Sequence, residues 1–275
     1  MKPPGGCSRS IARKNIRSYT RSFGVVPQEL PLMEYDYDAG LTNPNQVSDG
    51  YYMGCRGYTI AEMAIDEDET LYDIEDDKVH KETYDRMSAY EGHGIEEGGQ
   101  LLDAMNFAVV AGVLDKDGGH VYRGKPYLIE KLQGLDWFDS HRIALRREKA
   151  SLGVGTIFFQ EWMFTPAETN ILTDKFTFDG TWDTELGHMY KVCGEKTINW
   201  EPYLISKMWT GRKLYFSRAT FNKAFDIWGT ASYVQVKRQP RDTLYVRLTM
   251  LQRIVQLLAR YISESLAKRV PQYYL

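Results

Sequence analysis

The sequence has few cysteines, no long apolar segment and little net charge. Its three cysteines, Cys7, Cys55 and Cys193, lack the C-x-x-C spacing of a zinc site and give no basis for a disulfide framework. No stretch approaches the roughly 18 uninterrupted apolar residues of a membrane span, and the basic N-terminus lacks the apolar core of a signal peptide. We therefore expect reduced thiols, a cytoplasmic location, and neither a metal nor a cofactor.

Residues 1–30 form a basic arm that opens with two prolines and two glycines. Its basic residues are Lys2, Arg9, Arg13, Lys14, Arg17 and Arg21, against one acid, Glu29. Such an arm is typically solvated or bound to a partner. Contact with nucleic acid is an alternative, because these charges can neutralise phosphates.

Residues 66–77 carry the opposite charge, with eight acids among twelve residues. A run of like charges repels itself, so the pattern predicts an exposed loop or a solvated face. Calcium binding is a weaker alternative, since the central glycine of an EF-hand loop is missing.

Periodicity in the middle of the chain indicates an α+β fold. Apolar residues between 95 and 114 recur at helical spacing and predict a helix over 100–114. Residues 151–164 and 230–237 are rich in β-branched and aromatic residues and predict strands. A helix followed by strands, without β-α-β alternation, favours α+β over a doubly wound sheet.

The residues after Pro240 predict a long amphipathic helix. Its apolar stripe consists of Leu244, Leu248, Leu251, Val255, Leu258, Ile262 and Leu266. The helix could pack on its own domain, dock on a protein partner or a second copy through residues 241–275, or lie on a membrane surface.

Cys55 precedes a predicted helix, in which Ile60, Met63 and Ala64 share one face. A thiol at a helix N-terminus experiences a dipole that favours the thiolate, the reactive form of cysteine. A lone cysteine in this position can equally be a small buried hydrophobe.

Among the five histidines, His188 stands apart. His80, His93, His120 and His141 lie in charged or glycine-rich stretches that predict surface or loop positions. His188 lies in a short strand-like run that ends at Gly194, which is compatible with a half-buried strand histidine or with a catalytic base.

Taken in order, these motifs resemble the papain family of cysteine peptidases, in the divergent form of bacteria and their phages. That family has a glutamine, a cysteine at the start of its central helix, a later Gly-His strand, and a strand ending in Asn-Ser-Trp-Gly. The matching elements here are Gln46, Cys55, Gly98-Gly99, Gly187-His188, Trp209-x-Gly211 and the segment from Leu214 to Trp228.

The resemblance implies a role for each matching residue. Cys55 would attack a peptide carbonyl and His188 would carry the proton. Gln46 would stabilise the oxyanion together with the Cys55 amide, and Trp209 would shield the site. The expected partner is a protein or peptide substrate.

The sequence departs from the family pattern at two of these positions. Lys207 stands where the family has the asparagine that orients the imidazole, and lysine cannot accept a hydrogen bond. Ser206 and Asn199 are the candidate substitutes. Gln46 lies nine residues before Cys55 instead of about six, and Asp49 occupies the usual position, where an acid would oppose an oxyanion.

These observations predict three regions: a basic arm at 1–30, a papain-like domain at 31–238 and an amphipathic helix at 239–275. That domain combines a helical subdomain carrying the cysteine with an antiparallel subdomain carrying the histidine. Two functions follow, a peptidase with a Cys55–His188 dyad or a catalytically impaired scaffold such as a phage virion component. The expected location is the cytoplasm, that of the host or the virion in the phage case.

Overall fold

A computed structural model of the chain describes residues 7–8, 30–40, 45–46, 48–71, 78–92, 99–115, 120–157, 170–172, 187–208 and 212–240. Five α-helices lie within these residues: α1 Cys55–Glu67, α2 Lys78–Glu91, α3 Leu101–Val110, α4 Trp137–Glu148 and α5 Arg218–Trp228. The strands are β1 Cys7–Ser8, β2 Tyr35–Asp36, β3 Gly99–Gln100, β4 Val113–Leu114, β5 His120–Ile129, β6 Leu152–Ile157, β7 Ile171–Leu172, β8 Gly187–Ile198, β9 Glu201–Lys207, β10 Lys213–Phe216 and β11 Gly229–Pro240.

Helix α1 is the central helix of the fold. Its residues from Cys55 to Ile65 are all buried, as expected for a helix enclosed by other elements on every side. The helix packs against α2, and Gly57 permits the close approach, because a Cβ at this position would overlap the backbone of Tyr84. Strand β8 crosses α1 on the sheet side.

The sheet is antiparallel through its centre. Among the described strands the order is β4-β5-β11-β6-β8-β9-β10-β7, and β8 therefore lies between β6 and β9. Strands β8 and β9 form a hairpin whose turn residues, Asn199 and Trp200, both have positive φ. This is the backbone of a two-residue turn that matches the strand twist.

Helix α4 carries clear sequence signals at both ends. The Asp136 side chain accepts a hydrogen bond from the Asp139 amide and caps the start of the helix. Lys149 adopts the left-handed conformation that ends it. Arg142 and Arg146 project from this helix onto the buried carboxylate of Glu195 in β8. These contacts tie α4 to the strand that carries His188.

The predicted strands at 151–164 and 230–237 correspond to β6 and β11, although residues 158–164 lie outside the described part of the chain. The predicted helix at 100–114 is shorter than expected and ends at Val110. Gly112 has a φ of +66°, and the next two residues form β4, so the apolar pattern runs through a helix and then a strand.

The prediction that 66–77 is a solvated run is wrong at its start. Asp66 belongs to α1, its side chain is 9% exposed, and it pairs with Lys191. Asp68 accepts a hydrogen bond from the hydroxyl of the buried Tyr122. Residues 72–77 and the predicted helix at 241–275 lie outside the described residues, and of the arm at 1–30 only β1 and Leu30 are described.

Candidate active site

Cys55 is the first residue of α1, with Gly54 at the N-cap. Its side chain is buried, and its Sγ accepts a hydrogen bond from the Met189 amide at 3.5 Å. The helix dipole and the amide both favour negative charge on the sulfur. Met189 directly follows His188 in β8, so the fold brings the predicted nucleophile to the strand of the predicted base.

The environment of Cys55 nevertheless favours the neutral thiol. Burial raises the pKa of the Cys55 thiol to about 11, against the lowering influence of the Met189 amide and the positive charge of Arg56. Only about one thiol in 10⁴ is ionised at pH 7 with such a value. A reaction at this sulfur therefore requires a group that removes the proton as the bond forms, or a change that exposes the thiol.

His188 is buried in β8, opposite Thr156 of β6. Its ring lies nearly parallel to that of Tyr190, with the ring centroids 6.4 Å apart. Successive side chains of a strand point to opposite faces, so Met189 lies on the other face from these two rings. Met189 lines a cavity together with Cys55. The strand therefore presents Met189 to the thiol and carries the His188 ring on its other face, so the two predicted catalytic side chains are on neighbouring elements but do not face each other.

This cavity has a volume of about 20 Å³, enough for one water-sized group. Gln46, Cys55, Met189 and Lys207 contribute to its wall. The structure therefore brings Gln46 and Cys55 to one site, although nine positions separate them in the sequence.

Gln46 is fully buried, and its Nε2 donates to the backbone carbonyl of Tyr52 at 3.1 Å. The amide nitrogen has a second N–H, which this bond does not use. Asp49, the acid expected to oppose an oxyanion, is engaged elsewhere: it accepts a hydrogen bond from the Tyr58 hydroxyl at 2.7 Å and lies 3.8 Å from the Lys81 ammonium. These partners offset part of its charge.

Lys207 joins a buried cluster of charges beneath the cavity. Its ammonium contacts Glu62 at 2.8 Å and Asp38 at 3.1 Å. Lys191 stands opposite it in β8 and contacts the same two acids and Asp66, at distances of 2.7 to 3.2 Å. This pairing gives Lys207 a structural role in place of the asparagine's role in orienting the imidazole.

Opposite charges stabilise the ionised forms of three members of the cluster. Burial opposes ionisation of Asp38, but Lys191 and Lys207 outweigh it and lower the pKa of this carboxyl to about 2. Burial likewise opposes ionisation of Glu62, and Lys191 and His80 hold its pKa well below the usual range. Asp38, Glu62 and Lys191 are therefore charged at neutral pH.

Strand β1 lies across the two backbone edges that flank Cys55. Cys7 pairs in parallel with Gly99 of β3 and antiparallel with Gly187 of β8, the residue before His188. The gap between β3 and β8 thus accepts an extended chain, here the protein's own N-terminal arm.

The remaining predicted site residues lie at different places. Asn199 is in the turn at the far end of β8 from His188, and it is exposed. Ser206 is buried in β9 opposite Val192. Trp209, predicted to shield the site, lies outside the described residues.

Two histidine predictions are wrong. His80 is buried in α2, and its Nε2 lies 2.7 Å from Glu62. His141 is buried in α4 among Trp137, Phe221 and Phe225, and burial lowers its pKa to about 4. The helical spacing of the residues around each histidine was the available signal, and the neighbouring charges obscured it.

Within the described ranges there is no helix long and apolar enough to cross a membrane. In the same part of the chain, no three His, Cys, Asp or Glu side chains are arranged so that they could hold a metal ion.

No protein-family model and no curated protein matches the chain. Solved structures do match. A procathepsin B from Trypanosoma congolense superposes with a TM-score of 0.53 at 13% identity, covering 84% of this chain and 87% of its own. The digestive procathepsin L 3 of Tenebrio molitor gives 0.50 at 14% identity, covering 84% and 76%. A structure from work on the mite allergens Blo t 1 and Der p 1 gives 0.51 at 13% identity, covering 80% and 74%.

The fold is papain-like. This confirms the predicted α+β architecture, with the cysteine at the start of the central helix and the histidine in an antiparallel strand. At these identities the likeness concerns the fold alone. It does not address the predicted phage type, which stays a prediction.

Proposed function

We propose that the chain is a papain-like cysteine peptidase or amidase, in which Cys55 is the nucleophile and His188 the base. The observation that carries the proposal is the hydrogen bond from the Met189 amide to Cys55 Sγ. It places the start of the central helix against the strand that carries His188. Thiol catalysis also needs the His188 ring itself within hydrogen-bond reach of Sγ, so the proposal includes a turn of this part of β8 when substrate binds.

The chemistry is acyl transfer to sulfur. With the His188 ring turned to the Cys55 side of β8, it takes the thiol proton as the sulfur attacks the substrate carbonyl and then delivers that proton to the departing amine. Water, deprotonated by His188, hydrolyses the resulting thioester and restores the thiol. The pKa of about 11 describes the Cys55 thiol with β1 in place, and we expect this pKa to fall once β1 leaves and the imidazole reaches the sulfur.

Two donors would stabilise the oxyanion, the Cys55 backbone amide and the side chain of Gln46. Gln46 supports this role because it lines the same cavity as Cys55. One N–H of its amide bonds to the Tyr52 carbonyl, and the other would donate to the substrate oxygen. Loss of one such donor typically costs about 2.7–4 kcal/mol of transition-state stabilisation.

The proposed substrate is an extended protein or peptide segment. Gly99 and Gly187 present backbone edges on the two sides of the site, and β1 shows the pairing that such a segment can make. In this arrangement β1 must leave before a substrate enters. We expect its departure to expose Cys55, whose thiol is buried and has a raised pKa in the β1-paired form.

A second candidate is a papain-fold scaffold that does not cut, such as a phage virion component, which would reside in the host cytoplasm and in the particle. Two observations favour it: Cys55 is a buried neutral thiol, and Lys207 replaces the imidazole-orienting asparagine and is held by Glu62 and Asp38. Residues 241–275 would then bind the neighbouring subunit. A nucleic-acid contact through residues 1–30 is a weaker part of this candidate.

Cleavage of a diverse peptide library, followed by mass spectrometry, tests the peptidase proposal. We expect a chain whose β1 pairing has been broken to generate new termini faster than the wild type, and the Cys55→Ser variant to generate none. Cys193→Ser is the matched control, since Cys193 is also a buried free cysteine. Equal cleavage by Cys55→Ser, or no cleavage by a chain whose β1 pairing has been broken with Cys7→Pro and Ser8→Pro, would contradict the proposal and favour the scaffold.

A further inference from the structure

Arg56, the residue after Cys55, is a fully buried cation at the start of α1. Burial of a guanidinium is costly unless charge and hydrogen bonds compensate it. Its position in the first turn is also unfavourable, because the helix dipole disfavours positive charge there. The contacts of Arg56 must therefore compensate both the cost of burying its charge and the cost of placing it in the first turn.

Those contacts connect α1 to β3. One terminal nitrogen of Arg56 donates to Glu91 at 2.5 Å and to the Gln100 carbonyl at 3.3 Å. Glu91 ends α2, and its side chain is only 4% exposed. The guanidinium thus fixes the end of α2 and the backbone of β3 relative to the nucleophile helix.

Gly99 of β3 rests directly on this guanidinium. A Cβ at Gly99 would overlap its carbon and both terminal nitrogens. Only glycine lets the strand approach so closely, and the strand's position is therefore set by the Arg56 side chain. Gly99 is also the residue with which β1 pairs.

We propose that Arg56 is a positioning residue that holds the β3 edge at a fixed place beside Cys55 and supplies a positive charge next to the thiol. The substrate-binding part of this proposal rests on the proposed peptidase function. The two effects are separable, because lysine keeps the charge but lacks the planar guanidinium on which Gly99 rests.

The test uses Arg56→Lys, Arg56→Met and the double variant Arg56→Met with Glu91→Gln, which removes both members of the ion pair. Arg86→Met is the matched control. Arg86 is a second arginine with backbone carbonyl partners, but these are Gly112 and Ala111, after the end of α3, and not a residue of β3. The readouts are the pH dependence of Cys55 alkylation, hydrogen exchange at the Gly99 and Gln100 amides, and KM and kcat for a cleaved peptide.

We expect Arg56→Lys to leave the kinetic pKa of Cys55 unchanged, while exchange at the β3 amides rises about tenfold and KM rises with little change in kcat. We expect the double variant to raise that kinetic pKa by about one unit, a tenfold slower alkylation at fixed pH. Arg86→Met should change none of these.

Unchanged exchange in Arg56→Lys would overturn the positioning role, and an unchanged kinetic pKa in the double variant would overturn the charge effect. If the Arg56→Met variants fail to fold, hydrogen exchange at the Gly99 and Gln100 amides of Arg56→Lys still tests the positioning role. If no form of the protein cuts a peptide, the proposed peptidase function is wrong. Cys55 alkylation and hydrogen exchange at the β3 amides would still test the role of Arg56.

Discussion

Replacing His188 by glutamine is expected to lower peptide hydrolysis about 10³-fold or more. With β1 in place the pKa of the Cys55 thiol is about 11, and the lower pKa expected once β1 leaves depends on the His188 imidazolium, so without His188 few molecules carry a thiolate at neutral pH. Without a base to take the proton during attack, the reaction depends on that small fraction. A positioned general base typically contributes 10²–10⁴-fold, and its loss should also abolish the acidic limb of the pH–rate profile.

The control for this prediction is His141→Gln. His141 is also a fully buried imidazole, but it packs between α4 and α5, and its Nδ1 bonds to the Trp137 carbonyl at 2.6 Å. Its loss should reduce stability without changing the shape of the pH–rate profile. A His188→Gln variant that keeps activity within threefold of the wild type would refute the role of His188.

Replacing Lys191 by methionine is expected to destabilise the protein by about 3–5 kcal/mol, the usual cost of removing one partner from a buried ion pair. Lys191 is 1% exposed and contacts Asp38, Glu62 and Asp66. Although burial opposes its charge, these acids hold its pKa well above the usual range. Urea unfolding of the two proteins measures the difference.

Lys81→Met provides the matched comparison. Lys81 lies 3.8 Å from Asp49, outside the cluster, and its side chain is 35% exposed. Exposed pairs contribute about 0–1 kcal/mol, so this variant should remain close to the wild type. Equal destabilisation by Lys191→Met and Lys81→Met would show that the buried cluster has no special weight in stability.

The same cluster gives stability a defined pH dependence. The pKa of Asp38 is about 2 in the folded protein and about 3.9 in an unfolded chain, so its contribution is present above about pH 4 and lost as the pH falls toward 2. Glu62 acts in the same direction. Asp66 acts in the opposite direction, because burial raises its pKa. We expect the free energy of unfolding of Lys191→Met to fall less than that of the wild type as the pH is lowered from about 4 to 2.

Local patterns were enough to predict the main elements of the fold. The helix at Cys55, the strand at His188 and the strands β6 and β11 all follow from periodicity and from β-branched or aromatic content. The early end of α3 could not be read this way, because both the helix and the following strand are apolar. Its signal was Gly112, with its positive φ.

The surroundings of the site were beyond local patterns. Asp66 is paired with Lys191, 125 positions away, so its acidic neighbours gave the wrong impression of a solvated residue. The sequence showed that Lys207 replaces an asparagine, but its partners Glu62 and Asp38 appear only when β9 is placed against α1. Pairing of β1 with Gly99 and Gly187 likewise depends on the folded chain.

The most direct measurement is the rate of Cys55 alkylation by iodoacetamide between pH 5 and 10, in the wild type and in the Cys7→Pro, Ser8→Pro chain. Cys193, whose pKa burial holds well above the usual range, is the reference within each molecule. A latent Cys55–His188 pair predicts a slow wild-type reaction with a kinetic pKa near 11. It predicts a much faster reaction in the opened chain, with a kinetic pKa below the roughly 8.5 of a free cysteine. If Cys55 reacts no faster than Cys193 in the opened chain, the pair does not exist and the chain is not a cysteine peptidase.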